Sequence, residues 1–187
     1  MVERIRQLIA EVRKKERLES ELEIARDVQK QLFPRLVPRL ETLEVAGLCI
    51  PSRFVSGDYY DYVSLDNQCM VLALGDVSGK GISAALVMAS LQAALHAQLK
   101  YGGVSGSASN DVPLSTAALM ARLSEQLYEN TPAEKYATFF CSVYDDRSGH
   151  LLYTNAGHLP ADPRSWRSHE PAGCRGHGRG AIAGLFV

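Results

Sequence analysis

Gln68-Cys69-Met70-Val71-Leu72-Ala73-Leu74-Gly75-Asp76-Val77-Ser78-Gly79-Lys80-Gly81, residues 68–81, is the stretch that decides the fold. Residues 68–74 form a strongly apolar run of strand length, with Met70 to Leu74 at its heart. Glycines at 75, 79 and 81 break that run and predict a loop over 75–81 that carries one acid, Asp76. Ala84, Ala85, Leu86, Met88, Leu91, Leu95 and Leu99 follow at helical spacing and predict a helix over 82–100 with a broad apolar face.

Working outward, residues 54–65 are aromatic and β-branched around a Ser56-Gly57-Asp58 turn, and Asp66-Asn67 closes a hairpin-like turn before 68. Residues 43–51 read as an earlier strand through Val45, Leu48, Cys49 and Ile50. On the C-terminal side, 102–111 is a Gly/Ser-rich surface loop, and 114–129 is a helix with Ser115 or Thr116 near its cap. Residues 137–144 and 150–155 are two strands joined by the hairpin turn Asp145-Asp146-Arg147-Ser148-Gly149. Strands cluster on either side of a helical block instead of alternating with helices. That order predicts an α+β fold of antiparallel sheets with helices on their faces.

Both ends differ from this middle. Residues 1–33 contain no Gly or Pro, and apolar residues recur at Ile5, Leu8, Ile9 and Val12, then at Leu18, Leu22, Ala25, Val28 and Leu32. The spacing alternates between three and four, as in a coiled-coil seam, and slips in phase across 13–17. A dimerising helix is expected, with a single amphipathic helix lying on the domain as the alternative. Pro34 and Pro38 end it and start a linker, which divides the chain into a helical segment (1–33) and a domain (40–187). From about 161 to 180 the periodicity disappears, and Arg, His, Gly, Pro and Ser dominate. Apolar character returns at 181–187.

The bulk composition is that of a globular protein. The 187 residues are 46% apolar and carry 20 basic against 21 acidic side chains, so net charge favours neither a nucleic acid nor a membrane surface. Cysteines at 49, 69, 141 and 174 form no CxxC pair and read as free thiols in a reducing cytoplasm. No uninterrupted apolar run approaches the ~20 residues that span a bilayer, and no signal peptide is evident.

Asp58 and Asp61 flank two tyrosines directly after Gly57, while Asp76 sits between an apolar strand and a glycine-rich loop. Carboxylates held in this way suit hard cations, because Mg²⁺ and Mn²⁺ take oxygen ligands and keep several waters. Two such ions side by side activate a water and grip a phosphate. Other chemistries fit less well. A P-loop needs Ser or Thr after Lys80, where Gly81 stands, and the run also fails GxGxxG. Ser78 lacks the glycine two residues earlier that a hydrolase elbow needs. His158, alone after a strand, reads as structural on spacing, and Asp66, Asp145 and Asp146 read as turn residues.

Five blocks together carry a resemblance. They are Ile24-Ala25-xx-Val28-Gln29-xx-Leu32-Phe33-Pro34; Pro51 through Asp61, reading PSRFVSGDYYD; Gly75 through Gly81 with Ala84-Ala85-Leu86-x-Met88; Tyr136-Ala137-Thr138-Phe139; and Asn155-Ala156-Gly157-His158. Their order and spacing resemble the bacterial PPM-type phosphatases of the SpoIIE/RsbU branch. The resemblance implies an αββα sandwich, here C-terminally incomplete, preceded by a long N-terminal helix. It implies a binuclear Mn²⁺ or Mg²⁺ centre and hydrolysis of phosphoserine or phosphothreonine by a metal-activated water, with no catalytic side chain. Asp58 and Asp76 would be metal ligands, joined by the Val77 backbone carbonyl, with Gly57 and Gly79 allowing close loop approach and Asp61 and His158 adjacent to the site. The implied partner is a phosphorylated STAS-domain anti-sigma-factor antagonist, and the helix before Pro34 would be a regulatory linker that pairs in a homodimer.

Two departures qualify this. The usual Gly-Gly-Asp reads Ser56-Gly57-Asp58, and the family's later Thr-Asp-Gly and Asp-Asp motifs, which complete the metal site, do not occur after Asp162. An incomplete ligand set and impaired turnover are therefore expected, with a non-catalytic partner-binding module or a helix-dimerised signalling segment as the alternatives.

Overall fold

In the computed structural model, residues 1–51, 54–101, 114–158 and 181–186 are described, the last six through their backbone alone. The loop expected at 102–111 and the atypical tail at 161–180 lie outside them. Helix α1 spans Val2–Lys30, strand β1 Leu43–Leu48, β2 Asp58–Ser64, β3 Cys69–Val77, helix α2 Ile82–Tyr101, α3 Thr116–Asn130, β4 Ala137–Asp145, β5 His150–Ala156 and β6 Ala181–Phe186.

The apolar run becomes β3, an inner strand of a four-stranded antiparallel sheet ordered β2-β3-β4-β5. Its period-2 alternation sends side chains into two separate cores. On one face Tyr59, Val71, Ala73, Val77, Phe139 and Cys141 meet Met88, Leu91, Leu95, Leu119 and Leu123 from α2 and α3. On the other, Tyr60, Tyr62, Met70, Leu72 and Tyr144 meet Leu43 and Val45 of β1. The layers among the described residues are thus a helix pair, the sheet and a two-stranded β1-β6 ribbon. A second helical layer is not among them. Met88, Leu95 and Leu119 are fully buried, each worth about 2–3 kcal/mol in apolar transfer. Helix α2 is long and apolar enough to cross a membrane, but its Ala84, Met88, Leu91, Leu95 and Leu99 are buried in the core with the sheet and α3, while Ile82 and Leu86 stay exposed.

Turn chemistry fixes the hairpins. Asp66 Oδ1 accepts from the Gln68 and Cys69 amides at 2.7 Å each, and Gly149 takes φ +69° in the β4–β5 turn. Ser115 caps α3 by accepting from the Ala118 amide at 3.2 Å. Asp146 does more than turn the chain. Its carboxylate accepts from the Glu41 and Thr42 amides at 2.6 and 2.9 Å, tying the linker to the β4–β5 turn.

Two expectations need correction. The loop expected at 75–81 starts only at Ser78, because Asp76 and Val77 still pair with Thr138 and Ala137 of β4. Gly75 belongs inside the strand, since a Cβ there would lie 2.8 Å from the Phe139 ring. The sheets are also not all antiparallel: β1 and β6 pair in parallel, Leu43 opposite Ala181 through Leu48 opposite Phe186. No hairpin joins these distant segments, so no turn dictates their direction.

Helix α1 is a continuous α-helix through 13–17, without distortion at the phase slip. It meets the domain only at its C-terminal end, where Gln29 is buried and Leu22 and Ala25 are half-buried. Ile5, Leu8, Ile9, Val12 and Leu18 remain about half exposed.

Candidate metal centre

Antiparallel pairing of β2 with β3 sets Asp58 directly opposite Asp76. Residues opposite one another share a face, and like charges there repel. Pairing of β3 with β4 continues the row to Thr138. At the end of β5 the chain turns at Gly157, φ +75°, and His158 Nδ1 lies 2.9 Å from Thr138 Oγ1. The Asn155 side chain holds that turn, accepting from the His158 amide at 2.8 Å and donating to its carbonyl at 3.0 Å. Asp58, Asp76 and Thr138 therefore lie in one cross-strand row, with His158 joined to its Thr138 end.

Its electrostatics follow from this placement. Burial, then the neighbouring Asp58 carboxylate, raise the Asp76 carboxyl above its ordinary value, while His158 acts in the opposite sense. Burial lowers His158, and the two aspartates oppose that. Asp58 and Asp76 thus face one another across β2 and β3, and His158 is the basic group that acts on Asp76.

The loop after β3 is rigidly anchored. The Ser78 amide donates to the Tyr136 carbonyl at 2.8 Å, and the Tyr136 amide donates to Ser78 Oγ at 3.0 Å. Lys135 Nζ donates to the Ser78 carbonyl at 3.1 Å. Gly79 adopts φ +95°, and Gly57 lies so close to Val77 that an added Cβ would stand 2.7 Å from the Val77 carbonyl oxygen. Glycine at 57 serves close approach, and at 79 it serves a left-handed turn.

Asp61 is placed elsewhere. One residue out of phase with Asp58 and Tyr60, its side chain falls on the helix side of the sheet. There Asp61 Oδ2 accepts from Tyr59 OH at 2.7 Å and meets His96 Nε2 at 2.6 Å. Asp61 is 97% buried, as a carboxylate with hydrogen-bond partners can be. The hydrogen bond to Asp61 is the main reason that the His96 imidazole is raised.

The donor set fits a hard divalent cation in part. Two carboxylates facing one another, one held above its ordinary value by burial and then by the other acid, form a site that a cation would relieve. Mg²⁺ and Mn²⁺ need only one or two carboxylates if they keep waters. No group of three or more His, Cys, Asp or Glu side chains stands together as a metal cage among the described residues. Two contributors could not be read as site residues from spacing: Lys135 and Thr138 lie on a later segment, and only the fold brings Thr138 opposite Asp76 and Lys135 onto the Ser78 loop.

The profile of the family described as Stage II sporulation protein E (SpoIIE) matches residues 66–184. The chain is 31% identical to phosphoserine phosphatase RsbU of Bacillus subtilis over 76% of its own length and 39% of that protein's. Among solved structures, it resembles the RsbU and RsbW domains of a Mycobacterium tuberculosis protein (27% identity, TM-score 0.50, 68% of this chain and 33% of that one). It also resembles the SiaA-PP2C domain of Pseudomonas aeruginosa (17% identity, TM-score 0.57, 76% and 55%), a likeness of fold. The chain thus spans less than half the length of RsbU and of the mycobacterial protein.

Proposed function

This chain belongs to the SpoIIE family, and on that premise we propose that it is a metal-dependent phosphoserine/phosphothreonine protein phosphatase with its metal ligands at Asp58 and Asp76. The observation that carries this reading is the cross-strand Asp58–Asp76 pair with His158 beside it. Asp58, Asp76 and the Val77 carbonyl would hold Mn²⁺ or Mg²⁺. When bound, the ion supplies Lewis-acid chemistry and a water made nucleophilic near neutral pH. The chain's own residues set the geometry. Ser56 orients Asp58, Lys135 and Tyr136 fix the Ser78 loop, and Asn155 holds His158 at the rim. No serine or cysteine nucleophile is required. The relative named a phosphoserine phosphatase supports the substrate class, and a phosphorylated STAS-domain antagonist is the partner that we assign.

A folded chain should release phosphate from p-nitrophenyl phosphate and from a phosphoserine peptide in Mn²⁺-dependent fashion. Turnover should be slow, with millimolar Mn²⁺ required, because two carboxylates and a carbonyl only partly offset the ion's hydration. A folded chain with no turnover under those conditions would discard the phosphatase reading in favour of a partner-binding module.

Helix α1 we assign to self-association. Its Ile5, Leu8, Ile9, Val12 and Leu18 are about half exposed, and two copies would bury them in a coiled-coil seam. Sedimentation should show a dimer that dissociates when residues 1–20 are removed. A monomer with α1 intact would refute the assignment.

A further inference from the structure

Gln29 is the one buried residue of α1. It lies 27 positions from Ser56, yet its carboxamide takes both backbone groups of that residue. Gln29 Nε2 donates to the Ser56 carbonyl at 2.7 Å, and Gln29 Oε1 accepts from the Ser56 amide at 3.0 Å. Ser56 precedes β2 and gains no ladder partner of its own there. Its hydroxyl then reaches the acid: Ser56 Oγ donates to Asp58 Oδ2 at 2.6 Å and accepts from the Asp58 amide at 3.2 Å. Alongside, Phe33 packs on Tyr60 with ring centroids 5.2 Å apart, closing the junction between the helix end and β2.

We propose that Gln29 is a positioning residue for Asp58, holding the Ser56 backbone so that the serine hydroxyl keeps the Asp58 carboxylate aimed at Asp76. The proposal rests on Asp58 being a metal ligand. The physical case is the pattern of the bonds. A glutamine that only anchored a helix end could use any exposed carbonyl. This one satisfies the donor and the acceptor of a single buried peptide residue whose side chain binds the site carboxylate. Partners that orient a ligand in this way commonly change metal affinity 10–100-fold when removed. Such a residue is invisible to helix periodicity, because a lone buried glutamine breaks no apolar pattern.

The test uses the full chain with Gln29→Ala and with Gln29→Met, which keeps length and volume but removes both hydrogen bonds. Amide hydrogen exchange, measured without metal, should rise about tenfold at 56–58 in both variants, with β3 and β4 unchanged. Calorimetric Mn²⁺ titration should show affinity lower by about 10–100-fold. Unchanged exchange at 56–58 would overturn the proposal. So would raised exchange with Mn²⁺ affinity unaltered, which would make Gln29 a structural anchor only. If the wild-type chain bound no Mn²⁺, the metal reading itself would fail, and the exchange result would still decide whether Gln29 holds this segment.

Discussion

Asp76→Asn should abolish the Mn²⁺-dependent rise in melting temperature and cut Mn²⁺-dependent p-nitrophenyl phosphate hydrolysis at least about 100-fold, a few kcal/mol of lost electrostatic stabilisation. It should also leave the metal-free chain at least as stable as the wild type. This second half separates a ligand from a merely structural acid. Burial and the Asp58 carboxylate raise the folded-state value of Asp76 above 3.8. The folded chain therefore keeps that proton longer than the unfolded chain does. The stability that this provides is complete below the unfolded value and is lost as pH rises through the folded one. Above the carboxylate range the ionised pair faces itself across β2 and β3, and Asn removes the repulsion. The metal-free advantage of the variant should thus shrink as pH falls toward 3.8. Thermal melts with and without MnCl₂ across that range read both effects. A variant that kept the wild-type Mn²⁺ shift would remove Asp76 as a ligand.

Local chemistry made much of the fold legible. The β3 run, the helical spacing of α2, the Asp66 and Gly149 turns and the Ser115 cap act within a few residues of themselves, so each appears in the sequence as it does in the structure. What escaped depends on partners far along the chain. The extension of β3 through Val77 is set by β4, some sixty positions later, and the parallel β1-β6 pair joins segments more than a hundred positions apart. The same distinction divides the site. The motifs single out Asp58 and Asp76 by resemblance, but their direct opposition needs the β2–β3 register. Asp61 stands in the same motif as Asp58, yet strand alternation turns it toward His96, 35 residues away. Proximity in sequence grouped Asp61 with the site; the pleat separates it.

Gly57→Ala should destabilise the chain by about 1–3 kcal/mol, as overpacking commonly does, and should eliminate Mn²⁺ binding. The added Cβ would stand 2.7 Å from the Val77 carbonyl oxygen, 3.1 Å from Ala84 Cβ and 3.2 Å from Val77 Cβ. None of these is the free end of a flexible side chain. Val77 is an inner-strand residue packed in the core, and Ala84 lies in the first turn of α2 and is fully buried. Relief must come from backbone movement between residue 57 and β3, which shifts Asp58 relative to Asp76 and displaces the Val77 carbonyl. Gly79→Ala is the informative comparison. It is strained by φ +95°, but its Cβ would meet only Lys135 Nζ, at 2.6 Å, and that side chain can swing away. Its cost should be about 1–2 kcal/mol of left-handed backbone strain, with Asp58 and Asp76 left facing one another and Mn²⁺ binding weakened but retained. Urea unfolding and Mn²⁺ titration of the two variants separate crowding from strain. Mn²⁺ binding by Gly57→Ala equal to that of the wild type would show that the close approach at 57 serves packing alone and not the placement of the acids.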